Sequence, residues 1–129
     1  MISKLAEELY AKTIQLKKYN SSNLIFKKNR LALEKELYII REMTDIIIHK
    51  LNGNTDYSIQ HYELSLFMSR AITECILCLT RKRSNYRNTV SRYICGIHNI
   101  PRAFLSTENV MKITVDEAIS YYKPYLKLD

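Results

Sequence analysis

The stretch FKKNRLALEKELYIIREMTDIIIHKL, residues 26–51, decides the fold. Within it Leu33, Leu37, Ile40, Thr44, Ile47 and Leu51 recur at alternating spacings of four and three. Side chains so spaced share one side of an α-helix, so the stretch predicts one amphipathic helix from about Phe26 to Leu51. The four-three alternation suits a neighbouring antiparallel helix. Asn52-Gly53-Asn54 supplies the stop, because Gly53 can take a positive φ.

Working outward, residues 2–19 place Ile2, Leu5, Leu9 and Leu16 at helical spacing, and Asn20-Ser21-Ser22-Asn23 ends that helix. Short polar side chains do so by competing for backbone hydrogen bonds. A third helix is expected over Ser58–Arg81, with a broad apolar side of Leu64, Phe67, Ala71, Ile72, Cys75, Ile76 and Leu79. The polar joint Lys82–Asn88 leads to a fourth helix from Thr89, striped by Val90, Ile94, Ile97 and Phe104, which Pro101 kinks or restarts near its end. Thr114-Val115-Asp116-Glu117 reads as a capping box opening a short last helix that Pro124 closes. The expected fold is all-α: an antiparallel up-down-up-down four-helix bundle of similar-length helices with a short extra C-terminal helix. Residues 1–129 form one domain, with 1–106 as the core and 107–129 as the tail helix.

Composition agrees with long helices and few joints. The 129 residues include only two Gly and two Pro. No apolar run approaches the ~18 residues of a membrane span, and the polar start is not a secretory signal. Three cysteines, an odd number, predict reduced thiols in a cytoplasmic setting. The net charge of +7 is concentrated. Residues 81–106 hold Arg81, Lys82, Arg83, Arg87, Arg92 and Arg102 with no acid. A focused positive field of this kind attracts polyanions.

The stretch Glu74–Asn99 supports three chemistries. Cys75, Cys78, Cys95 and His98 follow a C-x2-C…C-x2-H order with the elements of a zinc site, and a hairpin of helices three and four brings them level. Buried cysteine acting as a small hydrophobe is the competing reading, and it leaves the protein without a cofactor. Arg92 and His98 match the R-x4-6-H motif of small helical ribonucleases of the HEPN type. In that family the His transfers protons and the Arg steadies the phosphate. Third, Arg81, Lys82, Arg83, Arg87, Arg92 and Arg102 interleave with Tyr86 and Tyr93. Arginine forks match phosphate oxygens, and tyrosine rings stack on unpaired bases. Neither a Ser-His-Asp set nor a Gly-rich phosphate loop is present.

The run Ile25-Phe26-Lys27-Lys28-Asn29-Arg30-Leu31-Ala32-Leu33 resembles the entry to the second helix of accessory variability proteins of diversity-generating retroelements. Ser91-Arg92-Tyr93-Ile94-Cys95-Gly96-Ile97 is similar to their last bundle helix, and the resemblance spans about residues 5–106. Two features depart from it: Ile100-Pro101-Arg102-Ala103-Phe104 replaces a small glycine-rich end, and the tail from Ser106 to Asp129 has no counterpart. The resemblance implies a non-enzymatic, ring-forming four-helix bundle that binds a reverse transcriptase and its RNA. The residues themselves point to a non-catalytic basic protein whose partner is RNA, DNA or a nucleic-acid-processing protein, without membrane contact and open to homo-oligomerisation. Richness in Ile, Lys, Asn and Tyr adds a further class, a small viral or phage protein that docks on a host protein.

Overall fold

The computed structural model describes residues 2–53, 59–98 and 101–102. Within them the chain is all-helical: α1 (Ile2–Gln15), α2 (Lys27–Leu51), α3 (Ile59–Arg81) and α4 (Tyr86–Gly96), with short 3-10 turns at Leu16–Lys18 and Asn23–Ile25. No strand occurs among the described residues. The predicted last helix at Thr114–Pro124, and Phe104, lie outside the described residues.

α1 buries Ile2, Ala6, Leu9 and Thr13 along one side. Thr13 is tolerated there because its hydroxyl donates to the Tyr10 carbonyl at 2.8 Å. The joint after it works through its side chains. Asn20 Oδ1 accepts the amides of Ser22 and Asn23, both at 2.9 Å, and Asn23 Oδ1 accepts the Asn20 amide at 2.9 Å. Asn23 Nδ2 also reaches the Lys18 carbonyl at 2.8 Å. The backbone is thereby offered partners that a continuing helix would otherwise supply. Arg30 finishes the joint by donating from Nη1 to the carbonyls of Leu24 (3.1 Å) and Ile25 (2.6 Å).

α2 buries the six residues of the predicted stripe, Leu33 to Leu51. Thr44 is again satisfied internally, donating to the Ile40 carbonyl at 2.8 Å. The helix ends as expected, with the Asn52 amide on the Ile48 carbonyl at 3.3 Å and Gly53 at φ +78°. A side chain at Gly53 would meet no neighbour, but any L-residue is strained at that φ.

α3 is sandwiched, which explains its wide apolar side: Leu64, Met68, Ala71, Ile72, Cys75, Ile76, Cys78 and Leu79 are all buried. It packs against α2 on one flank and α4 on the other. Lys27, Arg30 and Leu31 at the start of α2 share a cleft with Leu79, Thr80 and Lys82 at the end of α3. Farther along, the Ser69 hydroxyl meets Asp45 Oδ1 at 3.4 Å. α4 buries Val90, Tyr93, Ile94 and Gly96 as it packs on α3 and the turn after α1, and Ile97 just past its end is buried too.

One expectation about α4 needs correction: it begins at Tyr86, three residues before Thr89. It ends at Gly96, and helical backbone recurs at Pro101 and Arg102. The early start follows from the turn, because the Tyr86 amide already bonds the Arg83 carbonyl at 2.8 Å. The helices are also unequal, with 25 residues in α2 against 11 in α4.

Candidate nucleic-acid interface

The α3–α4 joint is built from backbone bonds, leaving its side chains outside. α3 closes when the Arg83 amide donates to the Cys78 carbonyl at 3.4 Å, which forces Lys82 into left-handed backbone at φ +46°. Glycine normally fills this position, and a side chain there costs roughly 1–2 kcal/mol. Asn85 takes φ +59°, which asparagine tolerates better, and its carbonyl accepts the Thr89 amide at 3.0 Å to open α4. Arg81, Lys82, Arg83, Arg87 and Arg92 are all exposed.

Two of these arginines are steered by neighbours. Arg83 Nη1 lies 3.1 Å from Glu74 Oε2, folding back along α3. Arg87 Nη1 donates to the Ser21 carbonyl at 3.3 Å, which ties the start of α4 to the α1–α2 joint. The start of α2 adds Lys27 and Arg30, which line a cleft of ≈400 Å³ with Lys82, Leu31, Leu79, Thr80 and one acid, Glu34.

Lys27 and Arg30 fall outside the 81–106 run on which the sequence centres attention. The signal for them was available: residues 9–33 and 75–107 are the two longest acid-free runs in the chain. The fold brings them together at one end, through the Arg87–Ser21 bond and the Lys27–Arg30–Lys82 cleft. Among the described residues, opposing charges there are few: Glu34 in the cleft, Glu74 on Arg83, and Glu36 at 3.1 Å from Lys18.

The tyrosines predicted to stack on bases are placed differently. Tyr93 is only 3% exposed and belongs to the core. Burial, followed by the nearby Cys78 and Glu74, pushes its phenol up to about 12. Tyr86 is half-buried and packs against the same core. Val90, Tyr93, Ile94 and Ile97 follow i, i+3, i+4, i+7 spacing, so the apolar side of α4 claims Tyr93.

The four-ligand zinc arrangement does not assemble. Cys75 and Cys78 are buried, while Cys95 is exposed on α4. Burial raises the Cys75 thiol far above its ordinary value and raises Cys78 as well, against the pull of Arg83. Both therefore favour the uncharged thiol. His98 turns instead to Tyr10, with the rings edge-on and their centres 6.2 Å apart. Among the described residues no three His, Cys, Asp or Glu side chains gather as a metal site.

Of the R-x5-H pair, Arg92 lies exposed on α4. His98 lies half-buried in the turn beyond it, near Lys17 and Arg102. Burial first, and then those two cations, lower its pKa, with the Cys95 backbone opposing slightly. Arg102 is exposed, and its amide donates to the His98 carbonyl at 3.3 Å, just past the buried Pro101. Among the described residues no helix is long and apolar enough to cross a membrane. Comparison with protein-family models, curated proteins and solved structures finds no match to this chain.

Proposed function

We propose that this chain is a non-catalytic, antiparallel helical-bundle protein that binds nucleic acid, or a nucleoprotein, through its basic end. One observation carries the reading: the two longest acid-free runs of the sequence meet at one end of the fold. Charge gathered on one surface, and not spread evenly, raises the local potential that a polyanion meets. Arg81, Lys82, Arg83, Arg87 and Arg92 act as phosphate contacts, with Lys27 at the edge. Because Tyr93 is core and Tyr86 is half-packed, recognition runs through the backbone of the nucleic acid, with little preference among sequences. An accessory role beside a reverse transcriptase and its RNA is the specific form of this proposal that the resemblance suggests.

Fluorescence anisotropy with labelled RNA and DNA single strands of about 20 nucleotides tests the reading. Five phosphate contacts predict that affinity falls about 100-fold between roughly 50 and 200 mM salt. Absence of binding at the lowest salt contradicts the proposal. Cleavage of the RNA during the same titration, lost in His98→Ala, would replace it with the ribonuclease reading of Arg92 and His98.

A further inference from the structure

α2 carries a second apolar stripe on the side turned away from the core. Leu31, Tyr38, Ile39 and Ile46 are 54%, 46%, 40% and 47% exposed. Lys28, Lys35, Glu42 and His49 lie exposed between and beyond them. At 3.6 residues per turn, all eight fall on the side opposite the Leu33–Leu51 stripe. Lone exposed apolar residues are ordinary, but four aligned on one helix side mark a contact surface.

What covers this side is written in its order. About the point between Tyr38 and Ile39, Tyr38 mirrors Ile39, Lys35 mirrors Glu42 and Leu31 mirrors Ile46. Apolar mirrors apolar, and the cation mirrors the anion. A two-fold axis through that point lays a second α2 antiparallel on the first, and each residue stands level with its mirror on the other copy. Lys35 then faces Glu42 of the second copy, and the pair occurs twice. A parallel arrangement would set Lys35 against Lys35 and Glu42 against Glu42, which is repulsive. Within the chain, neither residue forms an ion pair with a described residue. The outermost pair, Lys28 with His49, is not complementary, and it falls at the rim where salt screens charge.

We infer that the chain self-associates into an antiparallel two-fold dimer through the outer side of α2. The surface is small, so the dimer is weak and forms at micromolar concentrations. The inference does not depend on nucleic-acid binding, and its test omits nucleic acid.

Sedimentation of the full chain over about 1–100 µM should show the 15.2 kDa chain doubling in mass. Lys35→Glu and Glu42→Lys, both at exposed positions, should each sediment as monomers with unchanged circular dichroism. An equimolar mixture of the two variants should recover the dimer. In the mixed pair, position 35 of each copy again faces the opposite charge at position 42 of the other. The double variant in one chain should dimerise like the wild type. A wild type that stays monomeric overturns the inference. Single variants that dimerise as well as the wild type, or a mixture that stays monomeric, also overturn it.

Discussion

The two joints at the basic end are both polar and both rich in basic neighbours, yet they use their side chains in opposite ways. In the α1–α2 joint, Asn20, Asn23, Asn29 and Arg30 all turn inward onto backbone groups. In the α3–α4 joint the backbone bonds itself, at the cost of positive φ at Lys82 and Asn85; Arg81 and Lys82 are exposed without a side-chain partner among the described residues, while Arg83 meets Glu74 and Arg87 meets the Ser21 carbonyl. A basic residue that saturates its own backbone has little left for a ligand. Lys82, held outward by the strained turn, keeps its donors for something else. The first joint therefore spends its side chains on the fold, and the proposal assigns phosphate contact to the second, although their compositions look alike.

The largest break of this contrast is expected from Arg81, Arg83 and Arg87 replaced together by alanine. Nucleic-acid binding should be lost at physiological salt, while stability falls by about 1 kcal/mol, since the exposed Arg83–Glu74 pair contributes little and the Arg87–Ser21 bond is the main loss. The mirror experiment is in the first joint. Arg30→Ala or Asn20→Ala should each lower stability by about 1–2 kcal/mol in urea denaturation, because each strips partners from backbone groups. Binding should weaken only modestly in both. If Arg30→Ala instead abolishes binding and leaves stability intact, the two joints do not differ as described.

Lys82→Gly separates strain from charge at a single position. Removing the Cβ relieves the left-handed backbone, so stability should rise by about 0.5–1 kcal/mol, while binding weakens by the loss of one cation. A variant that gains stability and loses affinity together is hard to obtain if Lys82 is only a solvated surface residue. The smallest effect concerns acid. His61 is buried, and burial lowers its pKa; His98 is lowered by burial, Lys17 and Arg102. The unfolded chain therefore takes up protons near pH 6.5 before the folded one does. The stability present above that pH is lost as pH falls through the folded values. Urea midpoints should decline on acidification, and His98→Gln should make the decline shallower.

Much of the fold is legible in the residues, and particular elements show why. The α2 stripe reads directly because its buried side is narrow and its spacing strict, with Thr44 as the sole polar member. The Asn20–Asn23 stop is equally plain, since those side chains do in three dimensions what their chemistry suggests. Lys82 is the opposite case: nothing about a lysine announces a left-handed backbone, which arises from closing α3 onto the Cys78 carbonyl. The candidate site was half visible. Its α3–α4 portion stood out as an acid-free run, whereas Lys27 and Arg30 joined it only once α2 and α3 were packed. Tyr93 shows how a motif misleads, because its ring looked available for stacking while its spacing already assigned it to the core. Cys95 fails as a ligand for the same reason, since the side of α4 that buries Tyr93 and Ile94 turns it outward.

The most direct test of the basic end is the salt slope of nucleic-acid binding, measured by anisotropy on the wild type and on the Arg81/Arg83/Arg87 alanine variant. The wild type should lose affinity with a log–log slope of about −3.5 on a single strand, and the variant's slope should be about 2 units shallower where binding is measurable. Equal slopes for the two proteins, or wild-type binding insensitive to salt, would contradict the assignment of these arginines to phosphate contact.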